Sequence, residues 1–224
     1  MSSYYESALS GIRLKQCYEL ATKRVRQYLA AEVDFVLGHV RHTDRVLELG
    51  CGYGRVLAEL AGKALEAVGI DNCADNIRTA REFLSCGARC ELAVMDAAHL
   101  GFRGRQFDLI VCIQNTIGVL EVDRAVVVRE GLRVARAGGR LLLSSYSDRF
   151  WDDRLEWFQI QVNHGLIGAI DRNATGDGTI VSCDGFRAGR LTPEGFASLA
   201  ASCGVEAEIV EVDGSSVFCE ITVQ

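Results

Sequence analysis

Residues 46–55 read Val-Leu-Glu-Leu-Gly-Cys-Gly-Tyr-Gly-Arg, an apolar run carrying a glutamate, then a glycine-dense turn. Gly50, Gly52 and Gly54 leave no Cβ between backbone and ligand, and they permit positive φ. After a strand and before a helix, such a loop receives a nucleoside cofactor at the carboxyl edge of a parallel sheet. A dinucleotide fingerprint would need Gly-x-Gly-x-x-Gly. Counted from Gly50, the sixth position is Arg55, so that pattern fails. About twenty residues after the loop, where an acidic side chain reaches ribose hydroxyls, Asp71 ends a second apolar run. Its carboxylate can accept from both hydroxyls, and Asn72 adjoins the same place. The competing reading is an aspartate that caps the next helix.

These groups need elements to hold them. Residues 8–39 are helical in pattern, with Leu9, Ile12, Tyr18, Val25, Leu29, Val33, Val36 and Leu37 at helical spacing. From residue 45 the rhythm changes. The pattern predicts strands at 46–49, 65–70, 90–95, 107–113 and 140–145. It predicts helices at 55–61 (stopped by Gly62), 74–85 (ended at Gly87) and 122–136 (ended by Gly138-Gly139). Such alternation implies right-handed βαβ units and a parallel sheet. Residues 148–165 are aromatic and helical in pattern. Residues 179–183 and 186–191 flank Asp184-Gly185 as a hairpin. Thr192-Pro193 opens a helix that Gly204 ends. Residues 206–212 and 216–223 form a closing hairpin around Asp213-Gly214.

Glu-Leu-Gly-Cys-Gly-Tyr-Gly at 48–54 resembles motif I of the class I S-adenosylmethionine-dependent methyltransferases, small-molecule type. The order of elements is similar to that family's as well, closely over 40–146 and in outline over 192–224. The resemblance implies an α/β, Rossmann-like fold with a seven-stranded, mostly parallel sheet whose last strand is antiparallel. It divides one domain into a helical cap (1–39), a cofactor-binding core (40–146), an acceptor-side insert (147–191) and a closing helix and hairpin (192–224). It implies that the loop, Cys51 included, cradles the amino acid part of S-adenosyl-L-methionine, with Glu48 supporting it from beneath. By the same resemblance Asp96 takes the adenine amino group, with Met95 and Ala97 packing near the ring. The alternative for Asp96 is a helix N-cap before Ala97-Ala98. Ala137-Gly138-Gly139 resembles the family's Pro-Gly-Gly turn, with alanine in place of proline.

The resemblance sets the transferable methyl near Ile113-Gln114-Asn115-Thr116. The Asn-Pro-Pro-Tyr-like motif of enzymes methylating adenine or glutamine amides is absent there, which argues against those acceptors. Gln114 is assigned to the cofactor and Asn115 to the acceptor; solvation of a strand end accounts for them equally well. Methyl transfer is an in-line displacement, so the protein mainly positions and desolvates. A hydroxyl acceptor would need a base. Of His39, His42, His99 and His164, only His164 lies in the segment expected to cover the acceptor. The competing reading is a surface helix residue. Tyr4, Tyr5, Tyr146, Trp151 and Trp157 are the candidate acceptor contacts, against the plainer readings of a frayed terminus and a lid that only packs.

Composition narrows the partners. The chain has 224 residues, 49% hydrophobic and 24% charged, enough for one domain with a full core. A net charge of −6 argues against a broad nucleic-acid footprint and favours a small-molecule acceptor. Methylation of a protein or RNA group, and a non-catalytic cofactor-binding module, are the alternatives. Nine cysteines stand at 17, 51, 73, 86, 90, 112, 183, 203 and 219, an odd count without a Cys-x-x-Cys clip. They read as free thiols in a reducing compartment. Soft thiolates would suit a metalloid such as arsenite, but the positions read as buried and inert, and no metal site is expected. The opening Met-Ser-Ser-Tyr-Tyr-Glu-Ser has neither a charged n-region nor an apolar h-region. No stretch approaches the ~18 apolar residues of a membrane span. The expected location is the cytoplasm.

Overall fold

The computed structural model of the chain describes residues 4–84 and 90–224; Cys86 and the expected helix stop at Gly87 lie outside them. In chain order the elements begin with α1 (Tyr4–Ser7), α2 (Ile12–Glu19), α3 (Lys23–His39), β1 (Arg45–Leu49), α4 (Arg55–Lys63) and β2 (Glu66–Asp71). There follow α5 (Ala74–Leu84), β3 (Cys90–Val94), β4 (Phe107–Cys112), α6 (Thr116–Val119), α7 (Arg124–Val134) and β5 (Ala135–Tyr146). A 3-10 turn (Asp148–Phe150) leads to α8 (Trp151–Asn163), β6 (Ile180–Val181) and β7 (Arg187–Ala188). The chain closes with α9 (Pro193–Ser202), β8 (Glu208–Val212) and β9 (Ser216–Thr222).

Seven strands form one sheet in the order β3-β2-β1-β4-β5-β9-β8. β1 through β5 pair in parallel, and β9 runs antiparallel to both β5 and β8. The fold class is therefore the one expected, including the antiparallel last strand. Strand order reverses between β1 and β4, which opens a crevice at their carboxyl ends. The glycine loop leaves β1 there, and Gln114-Asn115 leave β4 beside it. β4 is apolar without alternation because helices cover both faces of the sheet. A third apolar cluster lies off the sheet. It joins Leu9, Cys17, Val25 and Tyr28 of the N-terminal segment to Trp157, Phe158 and Phe186 of the segment after β5.

Three expectations need correction. The helical pattern of 8–39 divides into α2 and α3, because the Thr22 hydroxyl accepts from Val25 N–H at 3.2 Å and starts a new helix. Gly62 does not stop α4, which runs on to Lys63. The buried face of Val56, Leu57 and Leu60 outweighs a glycine's cost of about 1 kcal/mol. The Gly138-Gly139 turn lies inside β5, not between helix and strand. There Gly138 has φ 75°, donates to Val223 O at 2.7 Å, and sits beside a register shift against β4. Thr116–Val119 forms a short helix that was not foreseen. The signals at Thr192-Pro193 are read correctly: the Thr192 hydroxyl accepts from Gly195 N–H at 3.0 Å, and proline is the first helical residue.

Candidate cofactor and acceptor site

Gly50, Gly52 and Gly54 all have positive φ, at 73°, 53° and 87°. The amides of Gly50 and Cys51 both donate to Ile70 O, at 2.8 and 2.9 Å, which folds the loop back over β2. A Cβ on Gly50 would stand 2.5 Å from Thr116 Cγ2. A Cβ on Gly69 would stand 2.6 Å from Leu57 Cδ2 and 3.0 Å from Cys51 Sγ, so this glycine of β2, which sequence reading passed over, supports the loop from below. Asp71 is buried and ties loop to helix. Its Oδ2 accepts from Gly52 N–H at 3.0 Å; its Oδ1 accepts from Cys73 N–H at 2.9 Å and from the Asn76 amide at 3.0 Å. The capping role weighed for Asp71 is thus real, and the residue also faces the cavity.

A cavity of about 410 Å³ opens above this loop, a size ordinary for a small-molecule site. Glu48, Gly50, Cys51, Gly52, Asp71 and Asn72 line one wall. Met95, Asp96, Ala97 and Gln114 line it further along. Gly54 does not line it; it starts α4 and packs against Leu84. Asp96 makes the cap contacts weighed for it, accepting from Ala98 N–H at 2.8 Å and lying 3.1 Å from His99 Nδ1, while staying exposed at the cavity. Three polar side chains of the lining carry buried atoms with no hydrogen-bond partner: Glu48 Oε2, Arg55 Nε and Nη2, and Gln114 Nε2. Burial pushes the Glu48 carboxyl up to about 8, opposed by the Arg55 guanidinium and reinforced by Asp71. Buried polar groups are normally satisfied. A carboxyl beside a guanidinium, each lacking a partner, complements a zwitterionic amino acid: ammonium to Glu48, carboxylate to Arg55. The residues present therefore fit S-adenosylmethionine. From sequence alone, Arg55 stands out only as the residue that breaks the dinucleotide pattern.

The far part of the cavity is aromatic. Tyr5, Asn115, Tyr146 and Trp157 line it as expected from sequence. Tyr4 and Trp151 do not. The Tyr4 hydroxyl donates to Asp184 Oδ2 at 2.6 Å and its ring packs on Phe186. Trp151 lies against the Arg154 guanidinium. His164 is exposed at the end of α8, with Nδ1 2.8 Å from Ile160 O, and lies outside the cavity lining. The structure does not bring it to the site, because α8 presents Trp157, Phe158 and Gln161 inward and ends its last turn in solvent. Asn115 reaches the cavity with its amide already engaged: Nδ2 donates to Gly189 O at 2.9 Å and Oδ1 accepts from the Ser145 hydroxyl at 2.7 Å.

Sequence reading missed Glu32. This residue of α3 is fully buried and accepts the Gln114 N–H at 2.9 Å, sharing it with the Ser144 hydroxyl. Gln114 and Asn115 both adopt left-handed backbone, φ 56° and 61°, so Glu32 secures a turn that the chain would not otherwise favour. Burial raises its carboxyl to about 7, opposed by hydrogen bonds from Ser144 and the Gln114 amide. The signal was available: Val25, Tyr28, Leu29, Glu32, Val33 and Val36 make one buried helical stripe, with a single acid in it. The described cysteines are free thiols, and among the described residues no cluster of His, Cys, Asp and Glu could hold a metal.

Residues 46–139 match a family model described as a methyltransferase domain. Over 128 residues the chain is 34% identical to the methyltransferase GfsG of Streptomyces halstedii, 55% of this chain and 44% of that protein. Over 139 residues it is 33% identical to an arsenite methyltransferase of Aquipseudomonas alcaligenes, 56% of this chain and 40% of that one. The chain thus spans less than half the length of these curated relatives. Among solved structures it resembles magnesium protoporphyrin IX methyltransferase of Synechocystis PCC 6803 with bound S-adenosylhomocysteine. The TM-score is 0.64 at 18% identity, over 99% of this chain and 97% of that one.

Proposed function

We propose that this chain is a class I S-adenosylmethionine-dependent methyltransferase that transfers a methyl group to a small-molecule acceptor, a reading supported by the match of residues 46–139 to a methyltransferase-domain model and by the methyltransferase relatives. The observation that carries the reading is the set of buried polar atoms without hydrogen-bond partners on Glu48, Arg55 and Gln114, beside a glycine loop tied to Asp71. Glu48 would receive the ammonium, Arg55 the carboxylate, Asp71 the ribose and Asp96 the adenine amine. When bound, the cofactor supplies an electrophilic methyl carbon on a sulfonium. The protein's part is position and dryness. The left-handed turn at Gln114-Asn115 is fixed from three sides, and the aromatic end of the cavity excludes water from the approaching nucleophile. The acidic balance of the chain supports a metabolite over a nucleic acid. Free thiols fit a reducing, cytoplasmic setting. Among the described residues no helix is long and apolar enough to cross a membrane.

Calorimetry with S-adenosylmethionine and S-adenosylhomocysteine tests the cofactor. Binding is expected, and Asp71→Ala is expected to weaken it at least about tenfold, the worth of one charge-assisted hydrogen bond. Absence of heat at ~50 μM ligand, about −6 kcal/mol of affinity, would remove the reading. A methyl-release assay across amines, thiols, phenols, carboxylates and arsenite then separates an enzyme from a module that only binds.

A further inference from the structure

Resting on the methyl-transfer reading, we infer that the acceptor is a small planar aromatic compound without positive charge, oriented through one polar substituent by the Gln161 amide. The far part of the cavity is walled by Tyr5, Tyr18, Tyr146, Trp157, Phe158 and Phe186. Their rings meet at tilted and edge-on angles: Tyr18 with Trp157 at 5.8 Å, Phe158 with Phe186 at 5.4 Å, Tyr5 with Phe186 at 5.7 Å. An apolar wall lined by rings suits a flat guest.

Gln161 stands four positions after Trp157 and three after Phe158, on the same face of α8. It lines the cavity, is only 2% exposed, and its side-chain amide pairs with nothing among the described residues. The other amide and the indole in this wall are already engaged, Asn115 with Gly189 and Ser145, Trp157 Nε1 with Cys17 O at 2.9 Å. Gln114 Nε2 is also unpartnered but lies beside the glycine loop, so at the aromatic end Gln161 is the amide left to receive a guest's polar group, and it can donate or accept.

Charge selects further. Aromatic cages recognise cations with open ring faces. Here guanidiniums already cover three of the six rings: Arg154 lies 4.2 Å over Tyr146 and 5.6 Å over Phe158, and Arg55 lies 5.3 Å over Tyr18. Arg154 is 1% exposed and bonded only to the carbonyls of Gly178 and Ala188, with no carboxylate paired to it among the described residues. The acids of the lining (Glu48, Asp71 and Asp96) stand at the cofactor end, and Glu121 is exposed. With Arg55 engaged by the cofactor's carboxylate, an ammonium guest would still meet the Arg154 guanidinium behind the rings and no acid of the lining at this end. Arsenite fits no better. Cys17 is the cysteine facing the rings, its thiol is bonded to Arg13 O, and burial pushes it up to about 12, whereas a soft centre needs thiolates.

The test titrates protein saturated with S-adenosylhomocysteine with three probes at pH 7: 2-naphthol, its near-isostere 2-naphthylmethylammonium, and arsenite. 2-Naphthol is expected to bind at least about tenfold tighter than either other probe. Gln161→Leu is expected to weaken 2-naphthol about tenfold, one hydrogen bond's worth. Heat from S-adenosylhomocysteine itself shows that the variant is folded; should Gln161→Leu fail to fold, Gln161→Met serves in its place. Equal or tighter binding of the ammonium or of arsenite, no binding of 2-naphthol, or no effect of the Gln161 variant overturns the inference while leaving the cofactor reading standing. Failure of S-adenosylhomocysteine to bind wild-type protein removes both.

Discussion

Glu48 places a carboxyl beneath the glycine loop with Oε2 unpaired, and burial holds its folded-state pKa near 8, above the ordinary carboxyl value. The fold therefore favours the protonated form. The contribution of this group is full below pH ~4.5 and is lost as pH rises toward 8. Glu32, raised to about 7, adds the same sign over a narrower window. Thermal melts of the free protein from pH 5 to 8.5 are expected to show a declining Tm, and Glu48→Gln to flatten the decline. An ammonium beside Glu48 favours the ionised form, so affinity for S-adenosylhomocysteine is expected to rise with pH through the same range. Glu48→Gln should remove that rise in calorimetry; an unchanged slope would place the ammonium elsewhere. Asp71 and the glycines were legible because their meaning is local, a fixed spacing after a strand. Arg55 and Glu32 were not, because each acts through partners brought by other elements: Glu32 meets Gln114 across 82 positions.

Elements were legible where a side chain itself sets the boundary. Thr192 is such a case, and Thr192→Ala is expected to cost about 1 kcal/mol in denaturant melts. It should leave cofactor affinity unchanged, since α9 packs on the sheet away from the cavity lining. Boundaries set by packing escaped the pattern. Gly62 continues α4 because Leu57 and Leu60 are fully buried, and the Gly138-Gly139 turn joins β5 because Val223, just after β9, pairs with it. The glycine loop combines both kinds of constraint. Gly50→Ala puts a Cβ 2.5 Å from Thr116 Cγ2 at φ 73°. The strain is expected to cost about 1–3 kcal/mol of stability and to lower cofactor affinity, because relief moves either the loop or the α6 turn that faces it. Gly62→Ala, with nothing within 4 Å of the added atom, is the matched control and is expected to stabilise slightly.

At the scale of the molecule, two segments distant in sequence meet over the aromatic end of the cavity. The Arg13 guanidinium donates to Gly165 O and Leu166 O at 2.9 Å each, Trp157 donates to Cys17 O, and Tyr4 donates to Asp184. No local pattern carries such pairings, so the N-terminal helices and the segment after β5 could be named from sequence without showing how they join. Their contacts form an apolar cluster separate from the two that flank the sheet. Units with their own contacts open separately from the strands beneath them. Asp184→Asn weakens the Tyr4 contact, and Arg13→Ala removes two bonds to the Gly165-Leu166 backbone. Together they are expected to raise amide exchange in residues 4–22 about tenfold, one to two hydrogen bonds' worth, while exchange in β1, β2 and β4 stays unchanged. In turnover, the same pair should raise KM for the acceptor more than the cofactor's Kd, because the bonds removed join the N-terminal segment to the segment after β5 and leave the Asp71 bond to the Gly52 amide in place. Equal acceleration in the core strands would mean that cap and core open as one unit, and that entry of the acceptor is not governed by this closure.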